Sequence, residues 1–517
     1  MYIAGQAEMR QMDQYTMEKL GLPGVVLMEN AGAKVVEEIV ASLPCENPRI
    51  LVLAGGGNNG GDGFVIARRL ADAKLDVLLC VLVDPGRIKG DAKVHFDVYV
   101  NRGLPLLFFQ KSSVADFASE LQKTDMIVDA MLGTGARGPL REPLNNLIPM
   151  INDFAVKKPV IAVDIPSGVN SDTGRAEGGA VKATKTVTFI FPKKGFFLNE
   201  GPLHVGEWKV ADISVPPSIV QELGLKLPKL LTESIVKASV PVRPLNGHKG
   251  TFGHVLIIGG SRHYVGAPIF TAKAALNSGA GLVTLAVPET IYPLAAAQNP
   301  ESLFLPLSEE NGHFSKKALA ELVPKLAQFD VIAIGPGMSL FQGGEEWLRT
   351  LIGSLTGQSL VLDADALYFV RNQLEMIRQY KGEAVLTPHP GEMARLLGET
   401  VKGVEMERIE VAQSFSEKHD VFLLLKGHRS VIAAPKGEVF INPLGHDALG
   451  KGGSGDVLTG VVASFLAQGA KPMDALVAAC FLHAKAGEEQ AKKVSHYGVT
   501  PGDLVEGVRG ELNRLFM

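Results

Sequence analysis

The 517-residue chain carries 51 Lys and Arg against 55 Asp and Glu, a net charge of −4 at pH 7. That balance argues against a nucleic-acid or an anionic membrane partner. Hydrophobic content of 46% and charged content of 21% are those of a soluble globular protein with room for two or more cores. No apolar run reaches the length of a membrane span, and MYIAGQAEMRQMDQYTMEK at the N-terminus lacks an apolar signal core. Cys45, Cys80 and Cys480 have neither disulfide nor metal spacing, so a cytoplasmic location is expected.

Residues 6–20 and 24–43 read as helices, with Val26, Leu27, Ala31, Val35, Val36 and Ile39 as the apolar stripe of the second. Arg49–Ala54 (RILVLA) reads as a buried strand. It runs into Gly55-Gly56-Gly57-Asn58-Asn59-Gly60-Gly61-Asp62-Gly63, and Phe64–Ala73 returns to helix. Strand, glycine-rich turn and helix open a mononucleotide-binding unit. Further strands are expected at Leu75–Val83, Leu104–Phe109, Asp125–Met131, Pro159–Ile165 and Thr186–Phe191, with helices at 90–102 and 113–123. In a parallel sheet the loops that leave the carboxyl ends of strands meet the ligand. Asn59, Asp129, Asp164 and Ser167 should therefore share one rim, a set of hard oxygen ligands suited to an alkali or alkaline-earth cation. Taken singly, Asp129 and Asp164 also suit turn caps. Lys193, after the last of these strands, is either a solvated surface charge or a group that holds an anion or moves a proton.

GGGNNGGDGFVIARRL, DAMLGTGARG, VDIPSGVNSDTG and FPKKG, in this order within residues 1–215, resemble the NAD(P)H-hydrate epimerase domain. The resemblance implies a Rossmann-like α/β/α sandwich that interconverts the two epimers at the hydrated carbon of the nicotinamide ring. It implies that Asn59, Asp129 and Ser167 hold K⁺. Asn58, Asn59, Gly60, Gly61 and Asp62, with Gly133, Thr134, Gly135, Ala136, Arg137, Gly138 and Pro139, would contact the hydrated dinucleotide. Asp164 and Lys193 are the positions for proton handling, with Asp164 also touching substrate.

Pro216, Pro217 and Pro228 interrupt the alternation at 214–232, which suits a linker or a short connecting helix. Domains are expected at 1–222 and 223–517. The second half alternates again. Residues 246–259 are a glycine-rich approach to a strand. Further strands at 279–288, Asp330–Ile334, Ser359–Asp363, Ala384–Leu386 and Val421–Leu425 lead into loops rich in Gly, Asp and His, and helices such as 270–278 and 404–419 lie between. Gly452-Gly453-Ser454-Gly455-Asp456 then leads into an amphipathic helix. A glycine-rich loop opening a helix aims N–H groups and the helix dipole at an anion. Asp456 there is either an N-terminal cap or a base beside a phosphate. His389 is either a core histidine or a ligand contact. His428 and Arg429 read as plain surface charge, Lys426-Gly427 at a strand end is better placed to meet a phosphate, and Asp363 and Asp365 read as turn residues. Glu392 is a capping residue, or acts on phosphates through a metal-bound water.

HKGTFGHVLIIGGS, YVGAPIFTAKAALNSGAGLVT, GPG, TPHPGEMARLL, LKGHRSVIA and GGSGDVLTG resemble the ribokinase-like superfamily, and within it the ADP/ATP-dependent NAD(P)H-hydrate dehydratases. The resemblance implies that Ala267, Gly337, His389 and Asp456 meet the hydrated dinucleotide. Lys426, Gly427, His428, Arg429 and Ser430, with Gly452, Gly453 and Gly455, would hold the adenine nucleotide with Mg²⁺. Asp456 would be the base that makes the substrate hydroxyl a nucleophile. His446 stands where the family usually has Asn, which puts the local substrate contacts in doubt. The expected protein is a fused repair enzyme acting on hydrated NADH and NADPH. It uses ADP, or alternatively ATP, on the S epimer, and assembles as a homo-oligomer. The rival is a ribokinase-type small-molecule kinase, for a vitamin precursor, with an accessory nucleotide-binding domain.

Overall fold

The computed structural model describes residues 1–109, 114–136 and 138–517. Arg137 and position 113, where a helix was expected to begin, lie outside them. The chain divides into two compact units, Tyr2–Leu227 and Pro228–Met517, with Met1 grouped with the second. Among the described residues no helix is long and apolar enough to cross a membrane.

The first unit is built on β1 (Arg49–Ala54), β2 (Asp76–Val81), β3 (Leu106–Phe108), β4 (Met126–Ala130), β5 (Val160–Val163), β6 (Lys185–Phe189) and β7 (Glu207–Ala211). They form one sheet in the order β3-β2-β1-β4-β5-β6-β7, parallel throughout. Such a sheet must be covered on both faces. Along β1 alternate side chains do this: Ile50, Val52 and Ala54 join one core with Phe64 and Tyr99. Leu51 and Leu53 join the other with Phe117 and Ile148. Helices Gln6–Glu18, Gly24–Val40, Asn58–Asp72 and Gly90–Asn101 bury residues in the first core, and Val114–Lys123 and Leu144–Ala155 in the second. The result is the three-layer sandwich that the alternation predicts. Strand order reverses between β1 and β4, so the loops after these two strands diverge and leave a crevice at their carboxyl ends.

The second unit holds β8 (Lys229–Leu230), β9 (His254–Ile258), β10 (Leu282–Pro288), β11 (Leu303–Leu307), β12 (Glu309–Glu310), β13 (His313–Phe314), β14 (Val331–Ile334), β15 (Ser359–Leu362), β16 (Ala384–Leu386), β17 (Phe422–Leu425), β18 (Val431–Ala433) and β19 (Val439–Ile441). Its large sheet runs β11-β10-β9-β14-β15-β16-β17-β18-β19-β8. Strands β11 to β17 in that order are parallel, and β17-β18-β19 is an antiparallel meander. Here order reverses between β9 and β14.

Several readings need correction. The expected helix at 404–419 is two helices, Val401–Met406 and Arg408–His419. The proline-rich stretch contains helix Ile219–Glu222, the short connecting helix that was one of its two readings, and also strand β8. Lys426–Ser430 is the turn of the β17-β18 hairpin. Strands β7, β11, β18 and β19 were not foreseen. They lie at or near sheet edges, where half-exposed side chains, as in β7, and Pro306 in β11 blur the apolar run.

Helix Ser454–Ala467 packs closely on helix Gly266–Asn277. A Cβ at Gly460 would lie 2.1 Å from the Thr271 carbonyl oxygen and 2.8 Å from Ala274 Cβ. In an open helix alanine gains up to about 1 kcal/mol over glycine. Overpacking against backbone costs about 1–3 kcal/mol. Gly460→Ala is therefore expected to lower the unfolding midpoint of the second unit in a thermal or urea scan. A raised midpoint would contradict this packing.

Candidate active sites

A cavity of about 950 Å³ opens at the carboxyl ends of β1 and β4 in the first unit. Asn58, Asn59, Gly60, Asp62, Gly133, Thr134, Gly135, Ala136 and Asp164 line it. Gly61 does not: it packs against Met28 and Ala92 in the core. Gly138 and Pro139 line a separate cavity of about 420 Å³. The glycine loop after β4 is thus shared between two spaces.

Asp129 lies within β4 and is fully buried. Its carboxylate accepts from Ser167 N (2.8 Å), Ser167 Oγ (2.5 Å) and Met131 N (3.2 Å). Burial still pushes its pKa up to about 6. Asn59 donates through Nδ2 to the Leu132 carbonyl at 2.8 Å, and Leu132 N donates to Ser167 Oγ at 2.9 Å. This leaves Asn59 Oδ1 buried with no hydrogen-bond partner. An orphaned amide oxygen, linked through Leu132 to a buried carboxylate and a serine, is the kind of oxygen set that a cation satisfies. The residues present therefore fit a bound K⁺.

Asp164 leaves β5 with a left-handed φ of 63°. It accepts from Lys193 Nζ, from Thr188 Oγ1 at 3.0 Å and from Phe189 N at 3.2 Å. Lys193 is 0% exposed, so it is not a surface charge. Its ammonium also donates to Thr188 Oγ1 (2.9 Å) and to the carbonyls of Phe189 and Phe191 (3.2 Å each). Opposite charge and four acceptors surround the buried lysine nitrogen here. Two further carboxylates feel this pair. Burial, then Asp164 and Asp13, push the Asp62 carboxyl well above its usual range. Asp13 rises to about 6 through burial and Asp164, with Lys193 opposing. Asp13 was not foreseen as a site residue. It sits in the first helix beside the buried Met9, Met12 and Thr16, and an acid among those residues was the only sequence signal.

In the second unit, helix Ser454–Ala467 opens from Gly453, whose φ of 95° is left-handed. Asp456, in the first turn, makes no cap hydrogen bond, which removes the capping explanation. Burial, then the Asp363 charge, push its pKa to about 7, with Lys426 opposing and Asp365 and Glu392 adding to the rise. Lys426 Nζ lies 2.8 Å from Asp363 Oδ1 and 3.9 Å from Glu392 Oε2. Asp363 is more than a turn residue: its other oxygen accepts from Thr459 Oγ1 at 2.6 Å. Lys426, expected on the nucleotide, thus faces the carboxylates, and its ammonium approaches the Gly455 position.

His389 and Glu392 form a reciprocal cap on helix Pro390–Leu397. Glu392 Oε2 accepts from His389 N at 2.8 Å, and His389 Nδ1 accepts from Gly391 N at 3.0 Å. Glu392 is therefore the capping residue that was one of its two readings. The His389 ring is half exposed, and its Nε2 lies 3.4 Å from Glu392 Oε1. Gly337 packs against Ala267 and Tyr264, which joins two of the expected substrate positions. Gly427, His428 and Gly452 are exposed, and Arg429 and Ser430 partly so. A residue that the sequence did not single out, Arg408, holds this turn. Its Nη2 donates to the carbonyls of Leu425 (3.1 Å), Lys426 (3.0 Å) and Arg429 (3.4 Å). His446, in place of the family's Asn, caps a short turn by accepting from Ala448 N at 3.1 Å.

The first unit is a Rossmann-like sandwich and the second a ribokinase-like α/β unit, each with one reversal of strand order in its parallel strands and a group of carboxylates at its loops. The comparisons give this class a family. The model described as NAD(P)H-hydrate dehydratase matches residues 255–509, and that described as YjeF-related protein N-terminus matches 24–195. A bifunctional NAD(P)H-hydrate repair enzyme of Moorella thermoacetica is 40% identical over 98% of this chain and 96% of its own length. That of Salinibacter ruber is 35% identical over 96% and 94%. A solved ribokinase-like superfamily protein from Enterococcus faecalis is 29% identical and covers 56% of this chain and 96% of its own, with a TM-score of 0.50. The chain belongs to the bifunctional NAD(P)H-hydrate repair enzymes.

The carboxylate network makes a prediction that needs no substrate. Lys426→Met removes the one cation near Asp456 and should raise its titration midpoint above about 7. Asp363→Asn removes a repelling charge and should lower it. Carboxyl carbon-13 NMR of Asp-labelled protein reads both shifts. Equal midpoints in parent and variants would mean that these groups do not interact.

Proposed function

We propose that the first unit epimerises hydrated NADH and NADPH. The second unit then dehydrates the S epimer at the expense of ADP, giving AMP and phosphate. The observation that supports the second reading best is Asp456, a buried carboxylate without a cap bond, in the first turn of a glycine-led helix. A base with a pKa near neutrality is suited to take a hydroxyl proton. In this scheme Asp456 removes the proton from the hydroxyl on the hydrated carbon. The freed oxygen attacks the terminal phosphoryl group of ADP, and AMP leaves. The original C–O bond, now carrying phosphate as its leaving group, then breaks as a proton leaves the adjacent carbon, which restores the double bond and releases inorganic phosphate. Ala267, Gly337 and His389 would hold the dinucleotide. The turn Lys426–Ser430 and the loop Gly452, Gly453 and Gly455 would hold ADP, and Mg²⁺ would arrive with its phosphates. The helix N-terminus favours the transferring anion without reorganisation.

In the first unit, Asn59, Asp129 and Ser167 would hold K⁺, which supplies positive charge beside the bound substrate. The loops at Asn58–Asp62 and Gly133–Ala136 would seat the dinucleotide. Asp164, fixed by Lys193, would carry the proton to and from the hydroxyl. Fusing the two activities makes chemical sense, because spontaneous hydration gives both epimers and the second step takes one.

The test follows absorbance at 340 nm with both epimers of hydrated NADH, Mg²⁺, K⁺ and ADP. The parent is expected to restore NADH fully. Asp164→Ala should stop near the content of one epimer, and Asp456→Asn should restore none. A parent that restores nothing with ADP or ATP would overturn the dehydratase reading in favour of a kinase.

A further inference from the structure

The epimerase reading gives no task to Asp13, an acid that lines the cavity. Asp13 lines the same space as Asn59, Asp62 and Asp164, yet it comes from the N-terminal helix Gln6–Glu18. The family match begins at residue 24, so it assigns nothing to Asp13.

Its placement is fixed by several ties. Ala4 N donates to the Pro192 carbonyl (3.1 Å), and Lys194 N donates to the Ala4 carbonyl (3.0 Å), so both neighbours of Lys193 are bonded to the chain end. Lys194 Nζ meets Glu8 Oε1 at 3.0 Å. Gln6 N donates to Asp172 Oδ1 at 2.6 Å. The helix that carries Asp13 is thereby registered to the segment that carries Lys193. Beside it, Asp62 is 8% exposed and lines the cavity.

Epimerisation at the hydrated carbon has a demand that one acid cannot meet simply. The hydroxyl sits on a carbon beside the ring nitrogen. The C–O bond breaks as an acid donates a proton to the departing hydroxyl, water leaves, and the nitrogen lone pair forms an iminium. Water then adds to the other face of that carbon, and a base takes its extra proton. The ring returns to its starting charge, with one proton given and one taken. The two transfers occur on opposite faces of the ring, so they call for groups on different walls of the cavity.

We propose that Asp13 is a second acid–base residue of the epimerase, partnering Asp164 from a separate element of the same cavity, the N-terminal helix. The proposal rests on the epimerase reading above. Burial and the neighbouring Asp164 hold its pKa near 6, against Lys193, which suits a group that gives and takes a proton near neutrality.

The test uses the full-length protein with K⁺ and one epimer of hydrated NADH, and no nucleotide, so that dehydration does not run. Epimer exchange is followed by proton NMR. Asp13→Asn is expected to lower kcat by about 100-fold or more, in the range of general acid–base catalysis, with KM within about twofold. Asp13→Glu should recover a measurable part of kcat. Thermal melting of each variant shows whether it is folded. A folded Asp13→Asn with parental kcat, or one that changes KM alone, would overturn the proposal while leaving the epimerase reading intact. So would an unfolded Asp13→Asn beside a folded, inactive Asp13→Glu and a folded Asp13→Ala with parental kcat. A parent that exchanges no epimers would overturn the epimerase reading, and the proposal with it.

Discussion

A carboxylate taken out of water must find a cation or hydrogen-bond donors, or else take up a proton. Both units of this chain are arranged around that constraint. In the first, Asp129 is met by Ser167 and Met131, and Asp164 by a lysine with no exposure. In the second, Asp363 is met by Lys426 and Thr459. Asp13, Asp62 and Asp456 are further carboxylates that burial and neighbouring charge push toward protonation. The chemistry proposed here draws on both sets: Asp164 is held by its lysine, while Asp13 and Asp456 are raised toward neutrality.

The sheet makes this division possible. Parallel strands buried on both faces fix their carboxyl ends rigidly, and the reversal of strand order leaves room between the loops that follow. β1 and β4 in one unit, and β9 and β14 in the other, stand at that reversal. The first unit places Asn59 and Gly133 there, and the second Gly337 against Ala267. Two unlike folds thus place small residues at a reversal of strand order by the same device.

Much of this was legible in the sequence, and the reasons are local. A short apolar run ending in Gly, Asp or Pro marks a buried parallel strand and its ligand loop, so β1, β4, β5, β14 and β16 and their loops could be read directly. The Gly452–Asp456 loop was equally plain. What escaped reading depends on distant contacts. The edge strands β7 and β11 are broken by half-exposed residues and by Pro306, while β18 and β19, though apolar and buried, are only three residues each. Lys193 looked like a surface charge, because nothing near it in sequence shows that Asp164 and three further acceptors enclose it. Asp13 lies in an ordinary amphipathic helix, and Arg408 in another. Their roles come from carbonyls and carboxylates brought close only by folding.

The central claim is that the second unit spends a phosphoryl group to break a C–O bond and keeps none of it on the dinucleotide. Phosphorus-31 NMR during turnover of (S)-hydrated NADH with ADP and Mg²⁺ tests it most directly. The account predicts one AMP and one inorganic phosphate for each NADH restored, with no phosphorylated dinucleotide accumulating. A stable phosphate ester, with no inorganic phosphate and no return of NADH, would contradict it and make the second unit a kinase.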